Sequence, residues 1–116
     1  MSIKTLESEL TAAGWSSFKN ALKNADACLY KRYQNHEVCR SNKSGGKQVE
    51  IYLYDMSKFH RDKRILSAAV HVSGNLGDRW VDFSAYGNHD PTVAELEKIA
   101  ERLLTVWDFA VKQENQ

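Results

Sequence analysis

"LSAAVHVSGNLGDRWVDFSAY", residues 66–86, alternates apolar and polar side chains on either side of a Gly-rich break. Leu66, Ala68, Val70 and Val72 share one face, with Ser67, Ala69, His71 and Ser73 opposite. After the break Val81, Phe83 and Ala85 alternate with Trp80, Asp82, Ser84 and Tyr86. A period of two is the signature of a half-buried strand, so the stretch predicts an antiparallel hairpin. A four-residue loop within "SGNLGD" would place Ser73 opposite Asp78 and His71 opposite Trp80. Asp82 would then be the diagonal neighbour of His71, about 7 to 8 Å away. The same register sets Val70 beside Val81 and Ala68 beside Phe83, aliphatic against aliphatic.

Upstream, "KQVEIYLYDM" (47–56) repeats the pattern, with Val49, Ile51 and Leu53 on one face and Gln48, Glu50, Tyr52, Tyr54 and Met56 on the other. "ACLYKRY" (27–33) and "HEVCRSN" (36–42) read as two further strands around a short turn at Gln34 and Asn35. The "YKRY" at 30–33 resembles a charged edge strand guarded against aggregation. Near the start, Ile3, Leu6, Leu10 and Ala13 predict a helix over about 3–13, with Gly14 as its left-handed cap. Phe18, Ala21, Leu22 and Ala25 suggest a second short helix. At the far end Val93, Leu96, Ala100, Leu103, Trp107 and Ala110 form an apolar stripe. Its start carries Asp90 and Pro91 as an N-cap and first-turn pair, with Thr92 and Glu95 as an alternative capping box.

These elements predict a single α+β domain over residues 1–116. It is a two-layer sandwich in which an antiparallel sheet of about five strands carries the N- and C-terminal helices on one face. Length permits one core, and 42% hydrophobic with 27% charged residues argues against a disordered or fibrous chain. No apolar leader and no membrane-length run is present, so a cytoplasmic, non-membrane protein is expected. Cys28 and Cys39 lack metal-ligand or redox spacing and read as packing residues.

The net charge of +1 hides an asymmetry: residues 19–64 hold eleven Lys/Arg against five Asp/Glu, whereas 65–116 hold four against eight. Such a split suits either an acidic partner or self-association. The loop "SKFHRDKRI" (57–65) concentrates Lys58, Arg61, Lys63 and Arg64 as a candidate polyanion contact. The sheet face away from the helices would display Glu50, Tyr52, Tyr54, His71, Trp80, Asp82, Ser84 and Tyr86. An aromatic and polar face of this kind is expected to be an interface or ligand surface.

The function expected from these features is that of a small non-enzymatic binding protein. Its partner would be a second copy, as a homodimer, or another protein that it inhibits or adapts. The alternative is a nucleic-acid-binding module in which the sheet aromatics stack bases and the 57–65 loop holds phosphates. A third reading is a small-molecule site or enzyme with His71 as acid or base, oriented by Asp82 or Glu50. No catalytic motif, metal-ligand spacing or phosphate-cradling glycine loop occurs, so no catalytic residue, metal or cofactor is assigned.

Overall fold

Helix α1 (Ile3–Ala12) opens on Ser2, whose hydroxyl accepts the Thr5 N–H at 3.1 Å. It closes at Gly14, where φ is +102°. The Trp15 amide donates to the Leu10 carbonyl and the Gly14 amide to Thr11, a Schellman closure that reverses the chain and brings Trp15 onto Leu10. The structure is a computed structural model and describes residues 2–19, 24–33, 46–57 and 66–114.

Among the described residues five strands follow: β1 (Ser16–Phe18), β2 (Ala27–Tyr33), β3 (Lys47–Asp55), β4 (Leu66–Leu76) and β5 (Arg79–Tyr86). They form an antiparallel sheet in simple sequence order, and α2 (Val93–Glu114) completes the fold. The expected α+β architecture is therefore present, with α1 and α2 packed on the same sheet face. Its strand membership differs from expectation. Phe18, expected in a second short helix, lies instead in the strand Ser16–Phe18, paired with Cys28–Tyr30. Phe18 there gains ring contacts with Tyr30 and Tyr52 that a surface helix would not supply.

β2 pairs with β3; the strand expected over residues 36–42 lies outside the described residues. As a result "YKRY" is flanked by β3 on one side and, up to Tyr30, by β1 on the other. Tyr30 is thus internal, while among the described residues no strand flanks Lys31, Arg32 and Tyr33 on the β1 side.

The β4–β5 register also departs from expectation. Leu76 pairs with Arg79 across a two-residue turn, so Val70 faces Ala85 and Val72 faces Phe83. Gly77 takes φ +64° and Asp78 has no positive φ, the pattern of a type II′ turn whose twist matches the strands. The shift moves each strand by an even number of residues relative to the longer-loop register, so every side chain keeps its expected face.

Between sheet and helices lies a core that includes Leu6, Leu10, Leu29, Ile51, Val70 and Val72, with Leu96, Leu104, Trp107 and Val111 from α2. The most buried line on α2 thus runs through Leu104 and Val111, and Leu103 and Ala110 sit half-buried beside it. Thr92 caps the helix by accepting the Glu95 N–H at 3.1 Å. Asp90 instead serves β4: its carboxylate accepts the Leu66 N–H, and its own amide donates to the Leu66 carbonyl.

Lys31 ties β2 to both helices. Its Nζ donates to the Ala13 carbonyl at 3.2 Å and to Glu97 at 3.0 Å, and it sits 5.5 Å from the centre of the Tyr33 ring. Burial, followed by the carboxylates of Glu97 and Glu101, pushes the Tyr33 hydroxyl up to about 12. Below pH 10 the phenol is neutral in both the folded and unfolded chain, so its contribution to stability is complete. Between about 10 and 12 the unfolded chain ionises first, and stability falls as pH rises. The stability difference between wild type and Tyr33→Phe should be constant below pH 10 and move in favour of Phe above it. Denaturant titrations at stepped pH measure this, and a difference flat through pH 12 would contradict the burial assigned to Tyr33.

Candidate functional site

Across the sheet face away from the helices, strand pairing lays Tyr30, Glu50, His71 and Ser84 in one row. Cys28, Tyr52, Ala69 and Tyr86 form the row beside it. Phe18 from β1 packs edge-on against Tyr30 at 5.8 Å and Tyr52 at 6.1 Å, and Tyr52 in turn meets His71 at 5.1 Å. The Tyr52 hydroxyl donates to the Glu50 carboxylate, and His71 Nδ1 lies 3.1 Å from Asp82 Oδ2. A continuous ribbon of aromatic and charged groups therefore crosses five strands. The His71 and Asp82 contact expected as a diagonal neighbour is present, although it arises from the two-residue turn.

The ribbon is a second, smaller core and not an open platform. Tyr52 is only 2% exposed, and Cys28 and Ala69 are also buried. Tyr54 is half-buried, and burial first, with Tyr86 and Cys28 nearby, holds its hydroxyl above the usual tyrosine range. Trp80 and Tyr86 stand apart, 68% and 73% exposed. Trp80 pairs with Asn75 near the hairpin tip, well away from Tyr52. The structure thus joins Glu50, Tyr52, His71 and Asp82, places Tyr54 next to Tyr86, and leaves Trp80 separate. Lys58, Arg61, Lys63 and Arg64 lie outside the described residues.

Ser84 stands opposite His71, at a non-hydrogen-bonded pair where side chains approach closely. Ser84, His71 and Asp82 therefore share one patch. Nucleophilic catalysis would need the serine hydroxyl bonded to the imidazole and donors aimed at a developing oxyanion. Among the described residues no hydrogen bond joins Ser84 to His71. The contact with Asp82 orients the His71 ring. Among the described residues no three His, Cys, Asp or Glu side chains converge as metal ligands. No described helix is long and apolar enough to cross a membrane.

A different surface went unread in the sequence. Beside the outer edge of β5, an open groove of about 420 Å³ is walled by Ala85, Tyr86, Ile99 and Leu103, with Glu95, Lys98 and Arg102 at its rim. Val106 and Phe109 follow Arg102 and Leu103 at helical spacing on the same side of α2, and they are 46% and 64% exposed. Trp80, Tyr86, Val106 and Phe109 are the large apolar side chains exposed among the described residues. Trp80 and Tyr86 belong to β5, and Val106 and Phe109 to α2, the two elements that form this margin. The available signal was the width of the α2 pattern: Ile99, Val106 and Phe109 are apolar positions outside the stripe that the sheet covers.

Comparison of the chain with models of known protein families, with curated proteins and with solved structures gives no match.

Proposed function

We propose that this chain is a small non-enzymatic interaction protein whose contact surface is the β5–α2 margin. The observation that carries this reading is the exposure of Trp80, Tyr86, Val106 and Phe109 on the two elements that form it. Scattered exposed apolar residues need no explanation, but Tyr86 borders a groove whose lining includes Glu95, Lys98 and Arg102, and apolar surface rimmed by charge marks a protein contact. Tryptophan, tyrosine and arginine are also the residues on which binding energy concentrates, and Arg102 lies in the same groove. The face of Tyr52 plays a supporting role, since a side chain already buried within the monomer has no apolar area left to offer a partner.

A photo-crosslinking side chain placed at Phe109 in living cells tests the reading. It should yield a discrete adduct with a protein, either this chain or another, while the same group at the exposed Thr11 of α1 should not. Adducts with nucleic acid, or equal labelling at both positions, would count against it.

A further inference from the structure

The edge of β5 narrows the choice of partner. A two-residue hairpin closes on a hydrogen-bonded pair, here Leu76 with Arg79, so the N–H and C=O of Arg79, Val81, Phe83 and Ala85 point toward β4. The Gly87 amide donates to the Ala68 carbonyl at 3.0 Å, which continues the same phase beyond the strand. The main-chain groups of Trp80, Asp82, Ser84 and Tyr86 therefore point outward, where no described residue pairs with them. The opposite edge of the sheet is the three-residue β1, too short to invite pairing. β5 has eight residues, no proline and no lysine. Its charged side chains are Arg79 at the hairpin end and Asp82, so any pairing along this edge must accommodate Asp82.

We propose that a second copy of this chain adds antiparallel along β5, on a two-fold axis through Phe83, giving one continuous sheet across two protomers. This rests on the β5–α2 margin being the contact surface. The outward groups of Trp80, Asp82, Ser84 and Tyr86 are symmetric about Phe83, so this register pairs all of them. It sets Trp80 of one protomer opposite Tyr86 of its partner on one face, covering the two exposed aromatics with each other. On the other face Phe83 meets its own copy and Val81 meets Ala85. Asp82 falls opposite Ser84. The neighbouring register, centred on Asp82, would place two carboxylates directly across the axis, and like charges there are repulsive. Centring on Ser84 would set Asp82 against Tyr86 and leave Trp80 beyond the paired strand. Only the Phe83 register satisfies the main chain, the aromatics and the charges together.

Ser84 is exposed and its backbone groups face the edge, so charging it leaves the monomer fold intact. Sedimentation across a dilution series should show a wild-type dimer. Ser84→Asp creates two symmetry-related Asp–Asp pairs and should weaken dimerisation about tenfold or more. Ser84→Lys places lysine opposite Asp82 and should bind at least as tightly as wild type. A native-like circular dichroism spectrum and an unchanged melting temperature in both variants, measured at a dilution where wild type is monomeric, confirm that the fold is not the cause.

Weakening by both changes would move the axis to Ser84 and overturn the register. A dimer indifferent to both would use another surface, and if the Phe109 crosslink were also silent the margin reading would fail with it. A monomeric wild type would overturn the second copy as partner. A crosslink from Phe109 to a different protein would, in that case, leave the margin reading standing.

Discussion

Val70→Asp should abolish cooperative folding at neutral pH. Val70 is fully buried, paired with Ile51 on β3 and Ala85 on β5, in the middle of the face that both helices cover. Its pairing neighbours Ile51 and Ala85 offer a carboxylate at that position no cation. An unpaired buried charge costs several kcal/mol or must be neutralised at comparable expense. Against a total of about 5 to 15 kcal/mol for a domain of this kind, little or nothing remains. Circular dichroism during a thermal scan should show no sharp transition for Val70→Asp. Ser84→Asp, the same chemical change on an exposed position of the adjacent strand, should retain one. A sharp wild-type transition in Val70→Asp would mean that the helices do not seal this face.

Trp107→Ala is expected to have the second largest effect. The indole is 1% exposed and meets Phe83 edge-on at 6.2 Å, with the Lys47 ammonium 3.8 Å from its ring centre. Its far edge lies over Gly74, where an added Cβ would come within 2.9 Å of it. Glycine at 74 is thus the space that lets α2 approach β4. Removing a buried tryptophan costs about 3 to 5 kcal/mol, because the sheet cannot collapse into the void. The cation over the ring adds to the loss. Denaturant titration should show a large drop in midpoint with little change in slope. A loss below about 1 kcal/mol would place the indole at the surface. Gly74→Val should destabilise by the opposite route, overfilling the same contact.

The arrangement of the candidate site was only partly legible in the residues. Period-two alternation assigned Glu50, Tyr52, His71 and Asp82 to one face, and the structure joins them there. Alternation cannot distinguish registers that differ by an even slip, because every such slip leaves each side chain on its own face. The four-residue loop and the Gly77–Asp78 turn predict the same faces, and only the turn geometry separates them. Trp80 was accordingly expected beside His71 and lies near the hairpin tip. Phe18 was hidden for a different reason: three strand residues are too few to show a period, and the neighbouring apolar spacing imitates a helix.

By itself, the sequence determined the two terminal helices, the helix-facing sides of β3, β4 and β5, and the α+β class. Each of these follows from a local rule, whether a cap, a stripe or an alternation, and local rules act between residues close in the chain. Tertiary structure alone decided which aromatics of the second face are buried. Tyr52 is enclosed because it lies on the central strand, with β1 bringing Phe18 to one side of it and β4 bringing His71 to the other. Trp80 and Tyr86 belong to the same kind of alternating pattern, yet they stay exposed because β5 is the last strand and no described neighbour lies beyond it. A residue's position within the sheet depends on strand order, and strand order is set by contacts between segments far apart in the chain.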